Sequence, residues 1–137
     1  MDGLMDFTDE LLGGGKTLVY IKHRFLSKRT REQLDWLFAC IRDSELLIPA
    51  LPVSGKPDLL EAEDGTRYLP VFSQEEQMPP DYISEFDILP KTFDKCFELA
   101  RSIDGVVGIE LDAFSEPFTI TFDMAEAILS KPSRRHE

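Results

Sequence analysis

Residues 106–129 read VVGIELDAFSEPFTITFDMAEAIL, and this stretch decides the fold. Val106–Leu111 and Phe118–Phe122 are short runs rich in β-branched and aromatic residues, so both read as strands. Asp112-Ala-Phe-Ser-Glu-Pro117 joins them, and a helix is expected from near Asp123 to Leu129. Phe114 stands in the middle of the joining loop. A large apolar side chain there either plugs back into the core or is displayed to a partner, and the plug is the expected state. Glu116-Pro117 stiffens the loop end. Strands in adjacent pairs, mixed with helices, argue for an α+β fold with a mostly antiparallel sheet covered by helices on one side.

Working towards the N-terminus, Lys91 to Ile103 carries Phe93, Cys96, Phe97 and Ala100 at helical spacing, with Pro90 as a first-turn residue and Asp104-Gly105 as the stop. A short extended piece is expected over 83–89. Ser73-Gln-Glu-Glu76 has the spacing of a capping box, so a short helix follows it, broken at Met78-Pro79-Pro80. Leu59–Ala62 and Thr66–Phe72 flank the turn signal Glu63-Asp64-Gly65 and read as a hairpin. Leu46–Val53 reads as a strand. Pro49 and Pro52 cannot donate to a ladder, so it is an edge strand or one that pairs on alternate sides. Thr30-Arg-Glu-Gln33 caps a helix whose apolar face is Leu34, Leu37, Phe38 and Ile41, with Trp36 flanking it. Residues 17–26 fit a helix through Leu18, Ile21 and Phe25. They also alternate as a strand would; the helix is the reading adopted. Three segments result: an acidic stretch with a glycine hinge over 1–16, an α+β domain over 17–130, and a flexible basic tail over 131–137.

A chain of 137 residues suits one domain and buries roughly two thirds of its unfolded surface without a disulfide or metal. No apolar run approaches the roughly 20 residues of a membrane helix, and the acidic start is unlike a signal peptide. A cytoplasmic protein is expected, with Cys40 and Cys96 as buried, inert thiols. The net charge of −11 is uneven. Residues 16–31 carry six Lys or Arg and no acid, whereas residues 32–130 hold 21 acids against six bases. An acidic body repels nucleic acid and anionic lipid, so neither is an expected partner. The basic stretch reads as a solvated helix face, as an intramolecular match to the acidic body, or as a docking patch for an acidic partner.

Gly13-Gly-Gly-Lys-Thr17 resembles the end of a phosphate-binding loop. That loop needs a glycine at position 10, where Glu10 stands, and a buried strand before it. The glycines therefore read as a hinge. Gly-x-Ser-x-Gly is absent, His136 lies in the tail, and His23 has no companion at metal-ligand spacing, so no catalytic residue, metal or cofactor is expected. Glu61, Glu63 and Asp64 in one turn, with Asp112 and Glu116 in another, read first as solvated turns. Together with Phe114 they are also the candidate partner-binding residues.

The order of a capped helix, Ser44-Glu-Leu-Leu-Ile-Pro49, Tyr68-Leu-Pro-Val-Phe-Ser73 with Glu76, an amphipathic helix and Gly-Val-Val-Gly-Ile resembles the N-terminal domain of the SseB family, the bacterial "enhanced serine sensitivity" proteins. The resemblance covers about residues 30–130. It implies an α+β domain with no established enzymatic activity and a regulatory or binding role. It transfers no catalytic residue. Fuller members carry a second, C-terminal domain, which the resemblance does not lead one to expect within these 137 residues, and their loop after the glycine strand often reads Asn-Pro where this chain has Asp112-Ala-Phe114. The leading expectation is a non-enzymatic, cytoplasmic protein-interaction domain whose partner is a protein, basic in character, with a homo-oligomer also allowed. The alternative is an acidic immunity protein that neutralises a basic bacterial toxin, provided the two acidic turns share a face. A small-ligand binder or enzyme is the third reading, and its signature would be a deep pocket with convergent polar groups.

Overall fold

A computed structural model describes residues 7–8, 15–133 and 135–136 of the chain, and its architecture is α+β. The ambiguous segment is a helix, α1 (Lys16–Ser27), which buries Leu18, Ile21, Lys22 and Phe25 on one side. α2 (Arg31–Asp43) packs against it and buries Leu37, Phe38, Cys40 and Ile41. Thr30 caps α2 by accepting a hydrogen bond from the Gln33 amide at 3.1 Å. The reciprocal half of the capping box does not form. The Thr30 amide donates to the Lys28 carbonyl instead, which leaves Gln33 Oε1 buried without a partner. Thr30→Ala is expected to cost about 1 kcal/mol, the ordinary worth of such a cap, read as a lower urea midpoint at unchanged slope.

β2 (Glu45–Ala50) ends three residues before the expected Val53, because Leu51 to Ser54 turn away through Pro52. β3 (Leu60–Glu61) and β4 (Arg67–Val71) form the expected hairpin. β5 (Asp87–Thr92) runs antiparallel to β2, and α4 (Phe93–Ser102) follows it directly. β6 (Val106–Leu111) and β7 (Phe118–Thr121) are antiparallel, and α5 (Phe122–Leu129) ends the domain. The four-stranded sheet has the order β3-β4-β6-β7, and its central pair, β4 and β6, is parallel. A backbone bridge between Leu47 and Phe72 joins this sheet to the β2–β5 pair. The main core lies between the sheets and α1, α2, α4 and α5. It contains Leu18, Leu37, Leu69, Phe93, Ile109 and Ile120, each at most 1% exposed.

Pro49 of β2 and Pro90 of β5 both stand where the ladder needs no donor. Leu47 exchanges its N–H and C=O with Phe72, and the Pro49 carbonyl accepts from the Asp58 amide. Leu47 and Pro49 therefore point their backbone groups away from β5. Their partners Pro90 and Ile88 occupy the matching non-hydrogen-bonded positions, pointing away from β2. This pairing on alternate sides of β2 overturns the expectation that Pro90 opens a helix. Pro90 sits inside β5, and α4 starts three residues later.

Three further expectations change. Ser73 does not cap the turn that follows it; a 3-10 turn (Glu75–Gln77) starts after Gln74, and the Ser73 hydroxyl is engaged elsewhere. The proline pair Pro79-Pro80 ends that turn but also opens a single helical turn, α3 (Pro80–Ile83), before the extended piece. At the chain ends, most of the acidic stretch over 1–16, with Gly13 and Gly14 of its hinge, lies outside the described residues. Within it, β1 (Phe7–Thr8) pairs in parallel with β8 (Arg135–His136) of the tail.

Candidate functional site

The carboxyl ends of the parallel strands β4 and β6 deliver Ser73 and Asp112 to the same point. Asp112 has φ 54°, and it is the non-glycine residue with positive φ among the described residues. Aspartate tolerates this left-handed state because its short polar side chain can bond locally. The Asp112 amide donates to the Val71 carbonyl at 2.9 Å. Its carboxylate turns back to accept from the Ser73 amide at 2.9 Å and from the Ser73 hydroxyl at 2.8 Å. Lys22 enters from α1 with its Nζ 3.4 Å from Asp112 Oδ2, and it also donates to the Glu116 carbonyl. Lys22 and Asp112 are 0% exposed and Ser73 is 3% exposed. A nucleophile must reach substrate, and this hydroxyl is sealed. The node ties α1, β4 and the β6–β7 loop together.

An aromatic layer lies beside the node. Phe114 stacks on Phe72, with ring centroids 5.8 Å apart and planes 15° apart, and meets Tyr82 edge-on at 4.8 Å. Tyr82 in turn packs against Phe86 at 4.9 Å, and its hydroxyl donates to Asp58 at 2.6 Å. Burial and the Asp58 carboxylate push the Tyr82 phenol well above its ordinary range, so it stays a hydrogen-bond donor. Phe72 is fully buried, but Phe114 remains 46% exposed. Phe114 is thus both seated and displayed. Ser115 extends the contact by donating to Gln77 at 2.5 Å.

The candidate residues do not form one surface. Asp112 is buried, so its carboxylate serves the fold and cannot face a partner. The Glu61–Asp64 turn precedes β4, whereas Asp112 to Glu116 follows β6. Because β4 and β6 are parallel, these turns lie at opposite ends of the sheet, roughly 15 Å apart along the strands. The shared acidic face required of the immunity reading is therefore not assembled from them. Glu61 pairs with Arg67 at 3.3 Å. The Asp64 carboxylate accepts from the Thr66 hydroxyl and amide, which hold it below its ordinary range and shape the turn. Glu116 stays half-exposed and contacts His23 Nδ1 at 2.9 Å; the His23 side chain is 64% exposed.

Lys22 and Tyr82 are the important residues that the sequence reading passes over, and Ser73 is read there only as a helix cap. For Lys22 a signal existed. Positions 18, 21, 22 and 25 form one helical stripe, so a lysine at 22 falls among apolar residues. Cys40 and Cys96 are buried, and burial pushes both thiols up to about 12. A wide depression of about 540 Å³ lies between α4 and α5, lined by Asp94, Phe97, Glu98, Arg101, Ser102 and Leu129. Arg101 lies over the Phe97 ring there. Among the described residues no three His, Cys, Asp or Glu side chains gather to hold a metal, and no helix is long and apolar enough to cross a membrane.

The family model of the SseB protein N-terminal domain matches residues 23–126, most of the chain. The chain belongs to the SseB family. No curated protein and no solved structure matches it. The match to the SseB domain begins inside α1 at His23 and ends inside α5 at Glu126, so it includes the Ser73–Asp112 pair and the Phe114 loop. Lys22, which completes the node, stands just before it.

Proposed function

We propose that this SseB domain is a non-enzymatic protein-recognition module that reads a basic protein surface through Phe114. The observation that carries the reading is the state of that side chain. It is half-exposed, yet stacked on Phe72 and held edge-on by Tyr82, in a loop whose first residue is fixed by Ser73 and Lys22. Aromatic side chains dominate binding energy at interfaces, and one already held in place loses little freedom on binding. The rim is acidic. Residues 74–90 carry Glu75, Glu76, Asp81, Glu85 and Asp87 and no base, and all five acids are exposed. Carboxylates around an aromatic anchor favour a partner bearing Lys and Arg, and they speed its approach.

The test is affinity capture from the native host with the wild-type chain and with Phe114→Ser. The variant is expected to keep its circular dichroism and to lose on the order of tenfold or more in partner affinity, with binding also falling as salt rises. Equal capture by both chains, or a turnover abolished by changing one polar residue, would show the reading to be wrong.

A further inference from the structure

The basic surface that the Phe114 patch needs is present on this chain. The outward face of α1 and the residues after it expose Lys16, Arg24, Lys28, Arg29 and Arg31, and Tyr20 on the same face is 56% exposed. None of these five cations pairs with a carboxylate among the described residues. The ion pairs of this region belong to Lys22, and the His23 ring contacts Glu116 at the same edge. Arg24 and Arg29 instead lie over the rings of Tyr20 and Phe25.

The basic face and the acidic rim are neighbours. His23 touches Glu116, Phe114 follows two residues earlier in the same loop, and that loop touches Gln77 and Tyr82 inside the acidic segment. One continuous surface thus has a positive half, a half-exposed aromatic in the middle and a negative half. A two-fold rotation about the middle lays the positive half of one copy on the negative half of the other, twice over, and buries the two Phe114 rings near the axis. Such a surface is self-complementary, which is the requirement for an isologous dimer. α1 has 12 residues, which gives it about 18 Å of length to span the 75–87 segment of a partner.

We infer that the occupant of the Phe114 patch is a second copy of this chain, bound in a two-fold dimer held by α1 against the acidic rim. The inference rests on the reading of Phe114 as a contact residue.

The test is sedimentation velocity on three full-length chains. One is wild type. The second carries Arg24→Glu and Lys28→Glu, and the third carries Asp81→Lys and Glu85→Lys; all four positions are exposed, and both variants remain net acidic. Wild type is expected to dimerise and to dissociate as salt is raised. Each variant alone is expected to weaken the dimer on the order of tenfold or more, because like charges then meet across the axis. An equimolar mixture of the two variants is expected to restore a dimer, because both contacts become complementary. A wild-type chain that stays monomeric at every concentration overturns the dimer. So does a dimer indifferent to both variants, or a mixture that does not re-associate. In each of those cases the capture result with Phe114→Ser still reports separately on whether the patch binds a different protein.

Discussion

Lys22→Met is expected to remove about 3–5 kcal/mol of stability, the loss typical of breaking a buried ion pair from one side. Methionine is unbranched and of similar length, so it fills the space without a large cavity. What it lacks is charge. The Asp112 carboxylate keeps its two bonds from Ser73 but loses its cation while remaining sealed from water. The Glu116 carbonyl loses its donor as well. A stability of 5–15 kcal/mol is usual for a domain, so this loss takes a large share. Urea unfolding should show a lower midpoint with a similar slope. The double variant Lys22→Met with Asp112→Asn should be more stable than the two single losses added together, because the second change removes the stranded charge. If Lys22→Met lies within about 0.5 kcal/mol of wild type, in the range of a surface change, the node contributes nothing to the fold.

Gly15→Ala is expected to cost about 3 kcal/mol. Gly15 stands at the start of α1 with φ 76°, a conformation that costs a residue with a Cβ about 1–2 kcal/mol. A Cβ there would also lie 1.9 Å from the Ser73 carbonyl oxygen and 2.7 Å from the Ser73 carbonyl carbon. That neighbour is backbone, and its residue is held through Asp112, so it cannot step aside without disturbing the node. Overpacking of this kind adds about 1–3 kcal/mol. Gly105→Ala is the control. Its φ is 85°, but a Cβ would meet nothing within 4 Å, so about 1 kcal/mol of strain is the whole expected effect. Thermal unfolding separates the two, since each kcal/mol shifts the midpoint by a few degrees at this size. Equal shifts for the two variants would mean that close approach to Ser73 is not what keeps position 15 a glycine.

These two residues mark where the sequence was readable and where it was not. Patterns of period 2 and 3.6 placed β6, β7, α2, α4 and α5 within a few residues, because burial on one face leaves a local trace. The same stripe rule, applied at position 22, would have flagged a buried cation. The local pattern misleads where a distant residue competes better for a group than its neighbours do. Ser73 satisfies the capping spacing with Glu76, yet its hydroxyl bonds Asp112, 39 residues away. Pro90 fits a helix start, yet β2 supplies a strand position that requires no donor. The acidic turns looked equivalent in sequence, and only the parallel pairing of β4 with β6 separates them. Phe114 was legible as an oddity in its loop. Its dual state depends on Tyr82, which comes from another part of the chain.

The outward-pointing nitrogen of Pro90 has one more consequence. β5 is the open border of the β2–β5 pair, and an open border invites strands from other molecules. A visiting strand would seek an amide proton at Pro90 and find a ring carbon. Growth into fibrils through that border is thereby discouraged, and copies of the chain that meet are directed to their helical and loop surfaces.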